Sequence, residues 1–165
     1  MYKGVLNDGT TIVVKLLNIK NEEAHKVFDK ECKVLSRVRN HNLIKIISSY
    51  SNHQIKALLF PFMSNGSLEK WLYSRDGVAS SLSFIQRLNI AIDIAHGMAY
   101  LHHHCFIQVI HCDLKLNNVL LGEYMTAYLI DFGIATICYT NSKNLSLAST
   151  HALKGSIGYI PQGII

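Results

Sequence analysis

The sequence predicts an α+β fold in which a small antiparallel sheet precedes a mainly helical region. Two apolar runs, at residues 2–6 and 11–17, flank the turn sequence Asn-Asp-Gly-Thr, which is a combination typical of a β-hairpin. Further along, Ser83 and Gln86 form a capping-box pattern that opens a long segment of helical apolar periodicity. These two observations indicate strands early in the chain and a long helix later.

The composition is that of a folded protein and argues against several function classes. The chain has 165 residues, of which 49% are hydrophobic, enough for a sizeable core. Its apolar runs fall short of the roughly 20 residues that a membrane span needs, and its start does not resemble a signal peptide. The net charge of +5 is spread along the chain, so nucleic-acid binding is not indicated. The cysteines lack Cys-x-x-Cys spacing, which favours reduced thiols inside the cell.

Within the second predicted strand, Lys15 stands between two apolar residues and needs a partner. Asn21 then caps a predicted helix in which Glu31 lies in the middle of the apolar stripe. Because a buried carboxylate is costly unless it is paired, Lys15 and Glu31 are expected to form an ion pair. The alternative is a surface lysine and a helix-edge glutamate that never meet.

The middle of the chain predicts two more strands and two helices. The strands are expected at residues 43–50 and 56–60, and a short helix capped by Ser67 is expected to reach Tyr73. The long helix after Ser83 is expected to extend to about His102. Its buried face is expected to contain Ile85, Leu88, Ile92, Ala95 and Ala99.

A second hairpin is predicted from the short apolar runs at residues 119–121 and 127–130, which lie on either side of a Gly-Glu turn. Such a hairpin would bring Asn118 and Asp131 together at its open end. An amide oxygen and a carboxylate suit Mg²⁺, which prefers hard oxygen ligands. The alternative is that these two side chains only cap the ends of an ordinary hairpin.

Two further groups stand just before that hairpin. Asp113 offers an acceptor for a hydroxyl proton, and Lys115 offers a cation for a migrating phosphoryl group. Positioning and charge neutralisation do most of the work in phosphoryl transfer, so these groups are the parts that this chemistry requires.

The sequence from His111 to Asn118, read together with Asp131-Phe132-Gly133, resembles the catalytic loop and Asp-Phe-Gly motif of the eukaryotic protein kinases. The resemblance implies a two-lobed fold that binds ATP and Mg²⁺. It assigns proton acceptance to Asp113, charge neutralisation to Lys115 and the metal to Asn118 and Asp131. Lys15 and Glu31 resemble the strand lysine that holds the α and β phosphates of ATP and the helix glutamate that pairs with that lysine.

The segment after the fourth predicted strand resembles the hinge between the kinase lobes. This likeness implies that Met63 contacts adenine through its backbone N–H and C=O, and that Pro61 contributes its carbonyl. Phe60 would gate the pocket behind adenine, and Leu120 would form part of its floor. Val13 departs from the family, which usually has Ala at this position above the base.

The resemblance implies a partial N-terminal lobe at 1–60, a hinge at 61–66 and a partial C-terminal lobe at 67–165 that ends in the activation segment. Cys112, in place of Arg before the catalytic Asp, and several other motifs resemble the leucine-rich-repeat receptor-like kinases of plants. The implied function is a serine/threonine protein kinase in receptor-like signalling. It would act on the cytoplasmic side, and the parent proteins usually lie at the plasma membrane.

Two absences leave an alternative open. No Gly-x-Gly-x-x-Gly motif occurs, and residues 161–165 depart from the Ala-Pro-Glu sequence of the family, so both lobes are expected to be incomplete. The alternative is therefore a catalytically impaired fragment or a pseudokinase-like binding module. The presence of all five matched residues favours descent from an active enzyme, since each is expendable in a scaffold; they are Lys15, Glu31, Asp113, Asn118 and Asp131.

Overall fold

The computed structural model describes residues 1–17, 22–52, 54–73, 82–138, 155–156 and 158–159. A four-stranded sheet and the helix that packs on it come first, and helices and short hairpins follow, as expected for an α+β fold. The strands and helices are, in chain order, β1 (Tyr2–Val5), β2 (Thr11–Leu17), α1 (Glu22–Leu35), β3 (Ser48–Ser51), β4 (Lys56–Pro61), α2 (Leu68–Tyr73), α3 (Phe84–Ala99), β5 (Gln108–Ile110), β6 (Val119–Leu121), β7 (Ala127–Leu129) and β8 (Thr136–Cys138).

The sheet has the strand order β1-β2-β4-β3, and all of its pairs are antiparallel. The predicted hairpin of β1 and β2 is confirmed, with the first strand one residue shorter than expected. Gly9 at its turn has a φ of +85°, a conformation that glycine adopts without a steric penalty. In the register of β2 with β4, Val13 lies opposite Phe60 and Lys15 lies opposite Leu58.

Helix α1 was correctly predicted, and its apolar stripe faces the core. Phe28, Val34 and Leu35 are buried there, and Glu31 is buried among them. The predicted cap at Asn21 lies outside the described residues. Glu31 therefore lies on the buried side of α1, where it forms the ion pair described below.

The prediction of a strand over residues 43–50 was wrong for its first half. Only the segment from Ser48 joins the sheet, whereas Leu43 and Ile44 pair with the distant hairpin of β6 and β7. The Ile44 N–H donates to the Leu129 carbonyl at 3.0 Å, and the Leu129 N–H donates to the Asn42 carbonyl at 2.9 Å. These apolar residues are buried against a partner more than eighty positions later in the chain.

Helix α3 begins with the predicted capping box, in which the Gln86 N–H donates to the Ser83 hydroxyl and the Ser83 N–H donates to the Gln86 side chain. The α-helix ends at Ala99, earlier than expected, and a π-helical turn continues over Tyr100–His104.

The buried face of α3 was predicted wrongly. Ile85, Leu88 and Ile92 are 60%, 46% and 43% exposed, and Ala95 is exposed as well, whereas Ile90 and Gly97 are buried. Gly97 decides the orientation, because a Cβ there would lie 3.1 Å from Leu129 and 3.2 Å from Leu43. The absence of that Cβ lets α3 approach the β6–β7 hairpin on this side.

Two short antiparallel strand pairs complete the described structure, and only the pair of β6 and β7 is a hairpin. Strand β6 pairs with β7, as predicted, and β5 pairs with β8. The Asn65 side chain donates to the Gly122 carbonyl at 2.6 Å and so connects the segment after β4 to the hairpin of β6 and β7. In the part of the chain that the structure describes, no helix is long and apolar enough to cross a membrane. The division into residues 1–60, 61–66 and 67–165 stays a prediction.

Candidate active site

Lys15 on β2 and Glu31 on α1 form the predicted ion pair. The Lys15 Nζ donates to both carboxylate oxygens of Glu31 at 2.9 Å, and also to the Oδ1 of Asp131 at 2.8 Å. The Glu31 side chain is 1% exposed, whereas those of Lys15 and Asp131 are 18% and 38% exposed. An early strand, a helix and a late loop therefore meet at one ammonium group.

Burial and charge act in opposite directions at this pair. Burial alone would lower the pKa of Lys15, but the carboxylates of Glu31 and Asp131 outweigh it and hold that pKa above its ordinary value. Burial raises the pKa of Glu31, and the Lys15 ammonium works against that rise. The Lys15 ammonium is thus firmly charged.

An unusual backbone conformation after β7 directs the Asp131 side chain towards Lys15. Asp131 has a φ of +66°, in the left-handed region that non-glycine residues seldom adopt. Phe132 is completely buried, which anchors the next residue in the core. A Cβ on Gly133 would lie 3.1 Å from Val27 of α1, so glycine allows the loop to pass close to that helix.

A second cluster surrounds Asp113. The Asn118 amide donates to the backbone carbonyl of Asp113 at 2.9 Å and to its Oδ2 at 2.8 Å. Lys115 Nζ lies 2.9 Å from the same Oδ2. The hydroxyl of Ser156 accepts from Lys115 Nζ at 2.7 Å and donates to Asp113 Oδ1 at 2.6 Å.

These contacts keep Asp113 ionised and ready to accept hydrogen bonds. Burial alone would raise its pKa, but the hydrogen bonds from Ser156, Lys115 and Asn118 outweigh that effect and hold the pKa below its ordinary value. The Ser156 contact shows how this cluster receives an aliphatic hydroxyl: the Asp113 carboxylate accepts its hydrogen bond and the Lys115 ammonium donates to its oxygen.

His111 links the two clusters from the interior. Its Nε2 lies 3.0 Å from the Ile130 carbonyl, and its Nδ1 lies 3.2 Å from the backbone N–H of Asp113. The neutral tautomer with hydrogen on Nε2 satisfies both contacts, and burial lowers the pKa of His111 in support of that neutral form. Its ring also packs on Phe132, with 4.9 Å between centroids.

A cavity of about 210 Å³ opens beside Lys15 and has mostly apolar walls. All seven residues predicted to bind the nucleotide line it, together with Asp131; they are Val13, Lys15, Glu31, Phe60, Pro61, Met63 and Leu120. The predicted catalytic pair, Asp113 and Lys115, does not line this cavity. It belongs to the cluster around Asp113, which includes Asn118 and Ser156.

The predicted metal ligands flank the open end of that hairpin. The Ile130 N–H donates to the Asn118 carbonyl at 3.0 Å, so Asn118 lies beside the residue that precedes Asp131. The Asn118 amide nitrogen donates to Asp113, and among the contacts of the described residues its side-chain oxygen could serve as a ligand; Asp131 adds a part-exposed carboxylate. This oxygen donor set fits Mg²⁺. Among the described residues no cluster of three His, Cys, Asp or Glu offers a competing metal site.

Sequence reasoning missed the contacts of Ser156 and His111. Ser156 lies 43 positions after Asp113, so no local spacing pointed to it. His111 stood inside the recognised motif, but only its burial and two ring contacts reveal that it orients the loop.

Comparison of the sequence with known proteins points to one family. The family model for protein tyrosine and serine/threonine kinases matches residues 1–161. A protein of Arabidopsis thaliana named as a leucine-rich repeat receptor-like serine/threonine-protein kinase is 43% identical over 97% of this chain. The Arabidopsis thaliana LRR receptor-like serine/threonine-protein kinase EFR is 37% identical over 96% of the chain, and so is receptor kinase-like protein Xa21 of Oryza sativa subsp. japonica.

The chain spans only 17%, 17% and 16% of the length of these three relatives. The match nevertheless covers almost every residue of the chain itself, including both clusters described above. The chain belongs to the protein tyrosine and serine/threonine kinase family.

Proposed function

We propose that the chain acts as a serine/threonine protein kinase domain, which transfers the γ-phosphoryl group of Mg·ATP to a Ser or Thr hydroxyl of a protein. The observation that carries the proposal is the Ser156 hydroxyl, which donates to Asp113 at 2.6 Å and accepts from Lys115 at 2.7 Å. An acceptor hydroxyl needs the same two partners, one for its proton and one for the charge of the arriving phosphoryl group.

The nucleotide occupies the cavity lined by Val13, Phe60 and Leu120 in this proposal, with Met63 and Pro61 at its edge. Lys15 holds the phosphates, and Glu31 holds Lys15 in place. Asn118 and Asp131 would hold Mg²⁺, which supplies positive charge to the phosphates when it is bound.

The names of the relatives suggest a wider setting. They are receptor-like kinases, and we infer that this chain serves as the cytoplasmic kinase part of such a receptor at the plasma membrane. Its protein substrates then belong to receptor signalling.

Two isosteric substitutions separate binding from chemistry. We expect Asp113→Asn to abolish phosphotransfer and to retain stabilisation by Mg·ATP, because Asp113 contacts the acceptor rather than the nucleotide. We expect Asp131→Asn to weaken both. A ligand at a hundred times its Kd stabilises a protein by about 2.7 kcal/mol, so a thermal shift measures binding well.

Asp8→Asn is the matched control, since Asp8 lies in the exposed turn between β1 and β2. It should change neither the thermal shift nor phosphotransfer. Phosphotransfer by Asp113→Asn at the wild-type rate would overturn the proposed role of that residue. Absence of any stabilisation of the wild-type chain by Mg·ATP would overturn the proposed function.

A further inference from the structure

Lys56, the first residue of β4, is a buried cation that the proposed chemistry does not use. It is 7% exposed, and its neighbours in the strand, Ala57 and Leu58, are buried apolar residues. A buried ammonium is costly unless other groups compensate its charge. The groups that contact the Lys56 ammonium therefore matter for the stability of this part of the structure.

Both groups that meet this ammonium in the described structure lie on α1. The Lys56 Nζ donates to the Oδ1 of Asp29 at 3.1 Å. It also lies over the ring of Phe28, at 4.5 Å from the centroid, a cation–π geometry. Any movement of α1 away from β4 removes both partners of the ammonium at once.

The register of the sheet places this contact beside the nucleotide site. Lys15 lies opposite Leu58, and Leu58 stands two positions after Lys56, so both lysines project from the same face of the sheet. Lys15 holds α1 at Glu31, and Lys56 holds it at Phe28 and Asp29. Two lysines on adjacent strands thus contact the same helix at two points.

We propose that Lys56 is a positioning residue, which fixes α1 through Asp29 and Phe28 and thereby keeps Glu31 against Lys15. This role rests on the proposed function for its consequence in catalysis, but not for the geometry itself. The apolar stripe of α1 holds the helix in the core, and a second polar contact beside the Lys15–Glu31 pair further restricts its position on the sheet.

The test measures Lys15 without any nucleotide. Acetic anhydride acylates neutral amines, and peptide mass spectrometry reports the rate for each lysine in the folded full chain. In Lys56→Met, which keeps the apolar stem and loses the charge, we expect Lys15 to be acylated several-fold faster, because Glu31 no longer shields it. Lys26→Met, on the exposed side of α1, is the matched control and should leave the rate at Lys15 unchanged.

The second readout is the dependence on Glu31. We expect Lys56→Met to lower kcat/KM for ATP by about tenfold in the wild-type background and to have little further effect in Glu31→Gln, as for residues that act through one another. Lys56→Arg should restore both readouts. Equal effects in the two backgrounds, or a lower Tm with an unchanged acylation rate at Lys15, would overturn the proposal.

The two proposals fail separately. If the wild-type chain transfers no phosphate, the acylation rate still decides the role of Lys56. Asp29→Asn provides a second test in case Lys56→Met does not fold, since Asp29 is largely exposed. Faster acylation of Lys15 in Asp29→Asn supports the positioning role, and an unchanged rate contradicts it.

Discussion

At the scale of single residues, the site is built from groups whose charge is fixed by their neighbours. His111 differs from these charged groups, because it is buried and its contact with the Asp113 N–H requires the neutral imidazole. Its Nδ1 accepts from the Asp113 N–H, and protonation of Nδ1 would set two N–H groups against each other. The loop that carries Asp113 therefore depends on the protonation state of His111.

This dependence predicts a pH effect on stability. Burial lowers the pKa of His111 below its ordinary value of 6.5, so the unfolded chain takes up this proton at a higher pH than the folded chain does. The stabilisation is fully present above 6.5 and is lost as the pH falls towards the folded-state pKa. One such group changes the free energy of unfolding by at most about 1.4 kcal/mol per pH unit.

Urea unfolding between about pH 5 and pH 8 checks this expectation. His111→Phe should lose the corresponding part of the pH dependence, while His41→Gln, at an exposed position, should keep it. Parallel stability curves for the wild type and His111→Phe would contradict the assignment.

At the scale of elements, the start of α3 was easier to predict than its buried face. The capping box of α3 was visible in the sequence because both of its hydrogen bonds join residues three positions apart. The buried side of α3 was not visible, since apolar residues line the helix on more than one side. Gly97 settles the choice, and its effect depends on Leu43 and Leu129, which lie far away in the sequence.

Loss of the cap should destabilise the chain measurably. Ser83→Ala removes the acceptor for the Gln86 N–H, and loss of such a cap costs about 1 kcal/mol. Ser64→Ala, at an exposed position after β4, is the matched control. Denaturant unfolding measures both, and equal free energies of unfolding would show that the capping box contributes nothing.

At the scale of the whole molecule, the site exists because distant segments of the chain meet. Local patterns predicted the hairpin of β1 and β2, the hairpin of β6 and β7, and helix α1. The buried charge of Glu31 predicted its partner on β2, which is Lys15. Local patterns could not predict the pairing of Leu43 with Leu129, or of Ser156 with Asp113, because nothing in the local sequence encodes these contacts. The sequence therefore predicted the contact between Lys15 and Glu31, but not the long-range contacts of Leu43 and Ser156.

Asn42 tests one such long-range contact. It is buried, and its side-chain amide donates to the Ala127 carbonyl at 3.2 Å, which joins the segment after α1 to β7. Asn42→Asp replaces this donor with an acceptor and sets a carboxylate against a carbonyl, at an expected cost of about 2 kcal/mol.

The matched control is Asn89→Asp on the exposed side of α3, which should change the free energy of unfolding little. Urea unfolding of both variants at neutral pH provides the comparison. A similar small effect in both would mean that the contact of Asn42 with β7 does not contribute to stability.

The coordination of the Lys15 ammonium has one more consequence. An ammonium group has three N–H bonds, and Lys15 already directs hydrogen bonds to three carboxylate oxygens. The group is saturated, so in the proposed function a phosphate would have to displace an oxygen that is already there. Asp131 is the more exposed of the two carboxylates, and we expect its oxygen to be the one displaced. Nucleotide binding at Lys15 would then exchange one anion for another, and the displaced carboxylate would become free to accept a different cation.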